Sequence, residues 1–159
     1  MARLSILLFG LSLLVLPFSS HAEDVLPQSI GPLRLEQFQS GEEARREIDQ
    51  LHGKRINFRA GYIGTYGGAD GKAKLWVSDY DSENEAIEAI GRMAQRLQTS
   101  EERGFWHFRE IAIEGLPVFF VVGMGQAHYF FQKGVRLIWL AVDPSLAKVA
   151  IRDLITKVN

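Results

Sequence analysis

The side chains of this chain that are best suited to chemistry are its histidines. The sequence contains four, and His21 falls in an apolar N-terminal segment, which leaves His52, His107 and His128 for a folded domain. Neutral imidazole is the commonest metal ligand in proteins, and there is no cysteine to supply a thiolate. A site for copper, zinc or haem iron would therefore need histidine, methionine or carboxylate ligands.

Two interpretations of these histidines remain open. His52 and His128 are candidate ligands, with Met124 a soft donor near the second, but no His-x-His or His-x-x-x-His pair occurs, so only tertiary packing would bring them together. In the interpretation that we favour, His52 caps the end of a helix and His128 packs against Trp139 with one ring nitrogen hydrogen-bonded. The sequence identifies no particular cofactor.

Two other candidate motifs lack residues that a phosphate loop or a calcium loop requires at fixed positions. The glycines of residues 61–71 precede Lys72, but a phosphate loop needs Gly-Lys-Ser/Thr at the start of a helix, and here an alanine follows in a predicted strand. The acidic residues from Asp79 lack the glycine and the glutamate of a calcium loop, since Asn84 and Ile90 stand there. With no visible nucleophile or acid–base pair, the sequence favours a non-enzymatic domain.

Residues 1–22 have the pattern of a secretory signal peptide. Arg3 is followed by an apolar run over residues 4–16, and Ser20 and Ala22 occupy the small-residue positions of a cleavage site. Cleavage near Ala22/Glu23 predicts a periplasmic or secreted protein. The alternative is a signal anchor that stays uncleaved.

The remaining 137 residues suit one domain with its own core. Arg3 is the only charged residue of the segment 1–22, so 17 basic and 19 acidic side chains remain, a net charge of −2. This balance predicts no nucleic-acid partner, because such partners attract a clustered positive surface. No later segment is long and apolar enough to predict a transmembrane helix in the mature chain.

Helix and turn signals give the expected order of elements. Ser40 with Glu43 and Ser82 with Glu85 are capping-box pairs, which predict a first helix ending at Gly53 and a second over residues 83–98. The predicted fold class is α+β, a mainly antiparallel sheet with helices packed on one face, in the order α-β-β-α-β-β-β-α. We expect an extended arm over residues 23–39 and a single α+β domain over 40–159.

Residues 116–142 form the densest apolar run, and their last hairpin is predicted to be apolar on both faces. A two-residue turn at Lys133-Gly134 would place His128 opposite Trp139. One face would then hold Tyr129, Phe131, Ile138, Leu140 and Val142, and the other His128, Phe130, Leu137, Trp139 and Ala141. Three modest helices suffice for one face. The second face is predicted to be a ligand groove, an oligomer interface, or core beneath the arm and the first hairpin.

Four segments carry a resemblance to known proteins: Leu51-His52-Gly53-Lys54, Lys74-Leu75-Trp76-Val77-Ser78, the GMGQAHYFF run at residues 123–131, and Ile138-Trp139-Leu140. Together they resemble a group of small exported prokaryotic proteins and domains of unknown function. The resemblance implies an exported α+β domain, and it carries over no catalytic residue.

The functional expectation is an exported, non-enzymatic domain that binds a protein partner or itself, as a homo-oligomer. The surface expected to do so is the aromatic sheet face of His128, Phe130, Leu137 and Trp139. The alternative is a small-molecule or metal binder that uses His52, His128 and Gln126 in a pocket near the glycine turns.

Overall fold

The computed structural model describes residues 25–99 and 104–158, so the predicted signal peptide lies outside the described residues. Its strands are β1 (Ser29–Ile30), β2 (Leu33–Ser40), β3 (Ala60–Gly68), β4 (Gly71–Asp79), β5 (Phe105–Ile113), β6 (Leu116–Gly123), β7 (Gln126–Lys133) and β8 (Arg136–Val142). They form one curled antiparallel sheet in the order β1-β2-β3-β4-β8-β7-β6-β5. Two four-stranded meanders thus meet edge to edge at β4 and β8.

The helices are α1 (Gly41–His52), α2 (Glu83–Thr99) and α3 (Ala147–Lys157), the last preceded by a 3₁₀ turn at Pro144–Leu146. The α+β class and the mainly antiparallel sheet are confirmed. The predicted order α-β-β-α-β-β-β-α is wrong, because two strands precede α1 and four separate α2 from α3. Positive φ angles at Glu114-Gly115 and Met124-Gly125 make tight two-residue turns, which divide the region after α2 into strands of similar length.

The helices cover both faces of the sheet, which corrects the expectation that they pack on one. Helices α1 and α2 bury Ile48 and Ile90 on the face that carries Phe130 and Leu137. Helix α3 packs on the opposite face, where Leu154 joins a larger core with Leu75, Tyr129, Phe131, Ile138 and Leu140. The physical reason is the two-sided apolar character of the central strands, since each apolar face must be removed from water.

The described part of the predicted arm belongs to the sheet and its core. Leu26, Ile30 and Leu33 are fully buried in the cluster that α3 completes. The Gly31 backbone N–H donates to the carboxylate of Asp153 on α3 at 2.6 Å. Strands β1 and β2 therefore extend the sheet past β3.

The last hairpin has the predicted faces but another register. The loop is Gly134-Val135, so Lys133 pairs with Arg136, and Phe130 lies opposite Trp139. Gly134 has a φ of 57°, at the position where a type II′ turn requires glycine. The register differs from the predicted one by two residues along the partner strand, and this even shift leaves every side chain on its predicted face.

Candidate functional site

A row of aromatic rings crosses the sheet face beneath α1 and α2. Phe108, Phe119 and Phe130 stack in turn from β5 to β7, with centroid separations of 5.7 and 5.1 Å. Phe130 stacks on Trp139 of β8 at 5.0 Å with an interplanar angle of 9°. Trp76 of β4 is the register partner of Trp139. These rings form a rigid apolar surface, here called the aromatic floor, on this face of the sheet.

His128 is built into the wall beside this row. Its side chain is 3% exposed, and its ring meets Phe105 edge-on at a centroid distance of 5.0 Å. A side chain at Gly123 would obstruct this arrangement, because a Cβ there would lie 2.5 Å from the Phe105 ring. Glycine at position 123 therefore lets the Phe105 ring pack closely against His128 and shield the imidazole from water.

The hydrogen bonds of His128 define its protonation state. Nε2 lies 3.0 Å from the Gly123 carbonyl oxygen, which only accepts, and Nδ1 lies 3.1 Å from Trp139 Nε1, whose N–H only donates. The ring is thus the neutral tautomer with its proton on Nε2. Burial lowers the pKa of His128 below its ordinary value, and the bond to Gly123 offsets part of that effect.

A cavity of about 390 Å³ lies between the two helices and this sheet face. Its apolar lining comes from α1 and the loop after it, from α2, from β4, β5 and β8, and from residues at strand ends: Ile48, Leu51, Ile56, Trp76, Tyr80, Ala89, Met93, Leu97, Phe105, Met124, Leu137 and Trp139. Leu51 and Met124 are 60% and 72% exposed, although both are large and apolar. The cavity has the size and the mainly apolar lining of small-molecule sites.

The polar lining of the cavity is basic or neutral. It comprises His52, Lys54, Arg92 and Arg96, together with Ser78 and His128 on the sheet. His52 Nδ1 donates to the Ile48 carbonyl at 2.8 Å, which leaves Nε2 for other contacts. Burial lowers the pKa of His52, the Ile48 carbonyl raises it in part, and the positive charge of Arg96 lowers it further.

The structure brings together most of the residues predicted for a site. His52, His128, Leu137 and Trp139 all line the cavity. Phe130 is fully buried and supports Trp139 from the side. Gln126 does not line it, and its amide donates to Asp143 at 3.3 Å.

Sequence reasoning missed the contribution of the second helix. Ala89, Arg92, Met93 and Arg96 line the cavity from α2. Their spacing of three and four residues places them along one side of the helix, next to its apolar stripe. That signal is present in the sequence, but it is equally typical of an ordinary solvated helix border.

The histidine geometry bears on the alternative metal site. The indole N–H of Trp139 donates to the lone pair of His128 Nδ1, and His128 Nε2 carries the ring proton. A metal would have to break one of these bonds to use His128 as a ligand. Within residues 25–99 and 104–158, no group of three or more His, Cys, Asp or Glu side chains is placed to hold a metal ion.

Comparisons with protein-family models, with curated proteins and with solved structures found no match to this chain. The resemblance to small exported prokaryotic proteins therefore stays a prediction. In the part of the chain that the structure describes, no helix has the length and apolarity needed to cross a membrane.

Proposed function

We propose that this chain is a binding module that takes a small, largely apolar molecule into the cavity between α1, α2 and the sheet. The observation that carries the proposal is the open cavity of about 390 Å³ lined by Trp76, Trp139 and Phe105. Burying apolar surface against rigid aromatic walls is favourable and needs little ordering of the site. The proposed activity is binding, without a chemical step.

The burial of the aromatic face favours this function over the docking of a protein on that face. His128 and Phe130 are 3% and 0% exposed, because Phe105 packs on the first and α2 on the second, so neither side chain is accessible to a docking partner. Leu137 and Trp139 are partly buried, and both form part of the cavity wall. Association with a partner or with a second copy through this face stays a prediction.

A cavity-filling substitution tests the proposal. Ala89→Phe places a ring where the ligand would lie, and we expect the affinity for the neutral dye N-phenyl-1-naphthylamine to fall at least about tenfold. The measurement is a titration of dye fluorescence at a fixed concentration of folded protein. Thermal unfolding of the variant checks that overpacking, which costs about 1–3 kcal/mol, leaves it folded.

The matched control is Ile87→Phe, since Ile87 lies on the same helix but is 49% exposed and outside the cavity. It should bind the dye like the unaltered protein. Absence of saturable dye binding by the unaltered protein, or equal binding by Ala89→Phe, would contradict the proposal.

We also propose that residues 1–22 direct export and are removed, so that the module acts in the periplasm or outside the cell. The pattern of Arg3, the apolar run and Ala22 supports this. So does the burial of Val25 and Leu26, because the core then begins just after the predicted cleavage site. N-terminal sequencing of the protein recovered from cells measures where the mature chain begins.

A further inference from the structure

We propose, on the basis of the function above, that the ligand is an amphipathic anion: an apolar body with one acidic head group. The apolar body would lie on the aromatic floor around Trp139, and the head group would meet the basic side chains of Lys54, Arg92 and Arg96. The cavity alone indicates an apolar ligand. The basic side chains in its lining indicate in addition that the ligand carries a negative charge.

The lining is strongly asymmetric in charge. Lys54, Arg92 and Arg96 contribute to it, whereas no acidic side chain among the described residues does. The whole chain is nearly balanced, with 18 basic and 19 acidic residues. A basic group of this kind beside an apolar wall complements an amphipathic anion, and because Lys54 and Arg92 are exposed, the attraction is that of solvated charges.

Three nearby acidic side chains lie outside the lining and each already has a partner of its own. Glu47 pairs with Lys74 at 2.7 Å and accepts from Trp76 Nε1 at 2.9 Å. Asp49 accepts the Ile56 backbone N–H at 2.8 Å. Glu88 meets Arg92 at 3.4 Å on the exposed side of α2, a contact too weak and too solvated to neutralise the guanidinium.

Arg92 and Arg96 line the same cavity as His52 and Tyr80. Burial lowers the pKa of His52 and raises that of Tyr80; Arg96 and Arg92 lower these two pKa values, whereas Asp49 and Glu85 raise them. A bound anion would share the cavity with His52. It would favour the protonated ring, so the titration of His52 should move to higher pH on binding, a change that a neutral ligand would not cause.

The test compares octanoate with octanol, which share an apolar chain and differ in the charge of the head group. Isothermal titration calorimetry of the mature chain should show octanoate binding about tenfold tighter than octanol. In the double variant Arg92→Gln/Arg96→Gln, this preference should shrink to within about twofold. The matched control is Arg46→Gln/Arg152→Gln, which removes the same charge from two exposed positions outside the cavity.

The possible outcomes distinguish a failure of the cavity function from a failure of the anionic-ligand proposal. Binding of neither compound would overturn the cavity function and this inference together. Equal binding of both by the unaltered protein would leave the cavity function standing and overturn the anionic ligand. A preference that survives in Arg92→Gln/Arg96→Gln, or is lost equally in Arg46→Gln/Arg152→Gln, would also overturn it. If the double variant is unfolded by thermal melting, Lys54→Gln replaces it with the same criteria.

Discussion

At the scale of single residues, the contact between His128 and Trp139 best explains why a buried histidine is tolerated. The imidazole donates through Nε2 to Gly123 and accepts through Nδ1 from the indole N–H of Trp139. Both ring nitrogens are satisfied, so the buried polar group carries little penalty. A protonated ring would instead turn a second N–H toward the N–H of Trp139.

Replacing Trp139 by Phe should therefore raise the pKa of His128. The phenyl ring keeps an aromatic side chain beside Phe130, while the loss of the indole N–H leaves Nδ1 of His128 without a donor. We expect a loss of about 1–2 kcal/mol in the free energy of unfolding, and NMR titration of the imidazole should show His128 titrating at higher pH. The control is Trp106→Phe at a side chain that is 52% exposed.

The sign of the pH dependence follows from the lowered pKa of His128 in the folded protein. Stability from the neutral ring is complete above the unfolded value of about 6.5 and is lost as the pH falls below it, because the unfolded chain then binds more protons. Trp139→Phe should weaken this loss. An unchanged titration of His128 in the variant would contradict the assigned hydrogen bond.

At the scale of elements, two similar capping signals give different helix starts. Ser82 Oγ accepts the Glu85 backbone N–H at 3.2 Å, as the capping box predicts. Ser40 at the start of α1 makes no such bond, and Glu43 accepts from the side chain of Gln39 instead. The carboxylate of Asp143, at the start of the 3₁₀ turn before α3, makes no cap hydrogen bond either, because it accepts the Lys72 backbone N–H at 2.9 Å.

Ser82→Ala should consequently destabilise the protein more than Ser40→Ala. The first substitution removes a cap and should lower the free energy of unfolding by about 1 kcal/mol, whereas the second removes no cap hydrogen bond and should change it by less than about 0.5 kcal/mol. Denaturant unfolding of both variants measures the difference. Equal losses would show that the Ser82 bond contributes nothing specific to α2.

At the scale of the whole molecule, the sheet serves two cores. One face is closed by α3 and the two N-terminal strands, and Leu33, Leu75 and Leu154 are fully buried there. The other face is closed only in part by α1 and α2, which leave the cavity between them. The space enclosed by these two helices and the sheet is the proposed site.

The predicted export has a consequence for the whole chain. If residues 1–22 are removed, the protein recovered from cells should begin at Glu23, two residues before the buried Val25. Ala22→Leu changes the small residue that the peptidase requires and should leave the segment attached, as N-terminal sequencing and intact mass will measure. The control is Ser19→Leu, at a position outside the small-residue pair. A purified chain that starts at Met1 would contradict the prediction.

The sequence by itself determined the three helices and the two faces of the last hairpin. Glycines at tight turns, capping signals and side-chain alternation act over a few residues, and they correctly separated Tyr129 and Phe131 from His128 and Phe130. The alternation survived a wrong turn position because an even shift in register preserves the face of every side chain.

Only the tertiary structure decided what covers each face and where the cavity lies. Which helix packs on which face depends on the path of the chain between distant elements, and α1 and α2 carry no signal that assigns them to the same side. Arg92 and His52 are 40 positions apart and line the same cavity only because both helices pack on the strands of the aromatic row. A cavity is space left between elements after they pack, so no single segment of sequence encodes it.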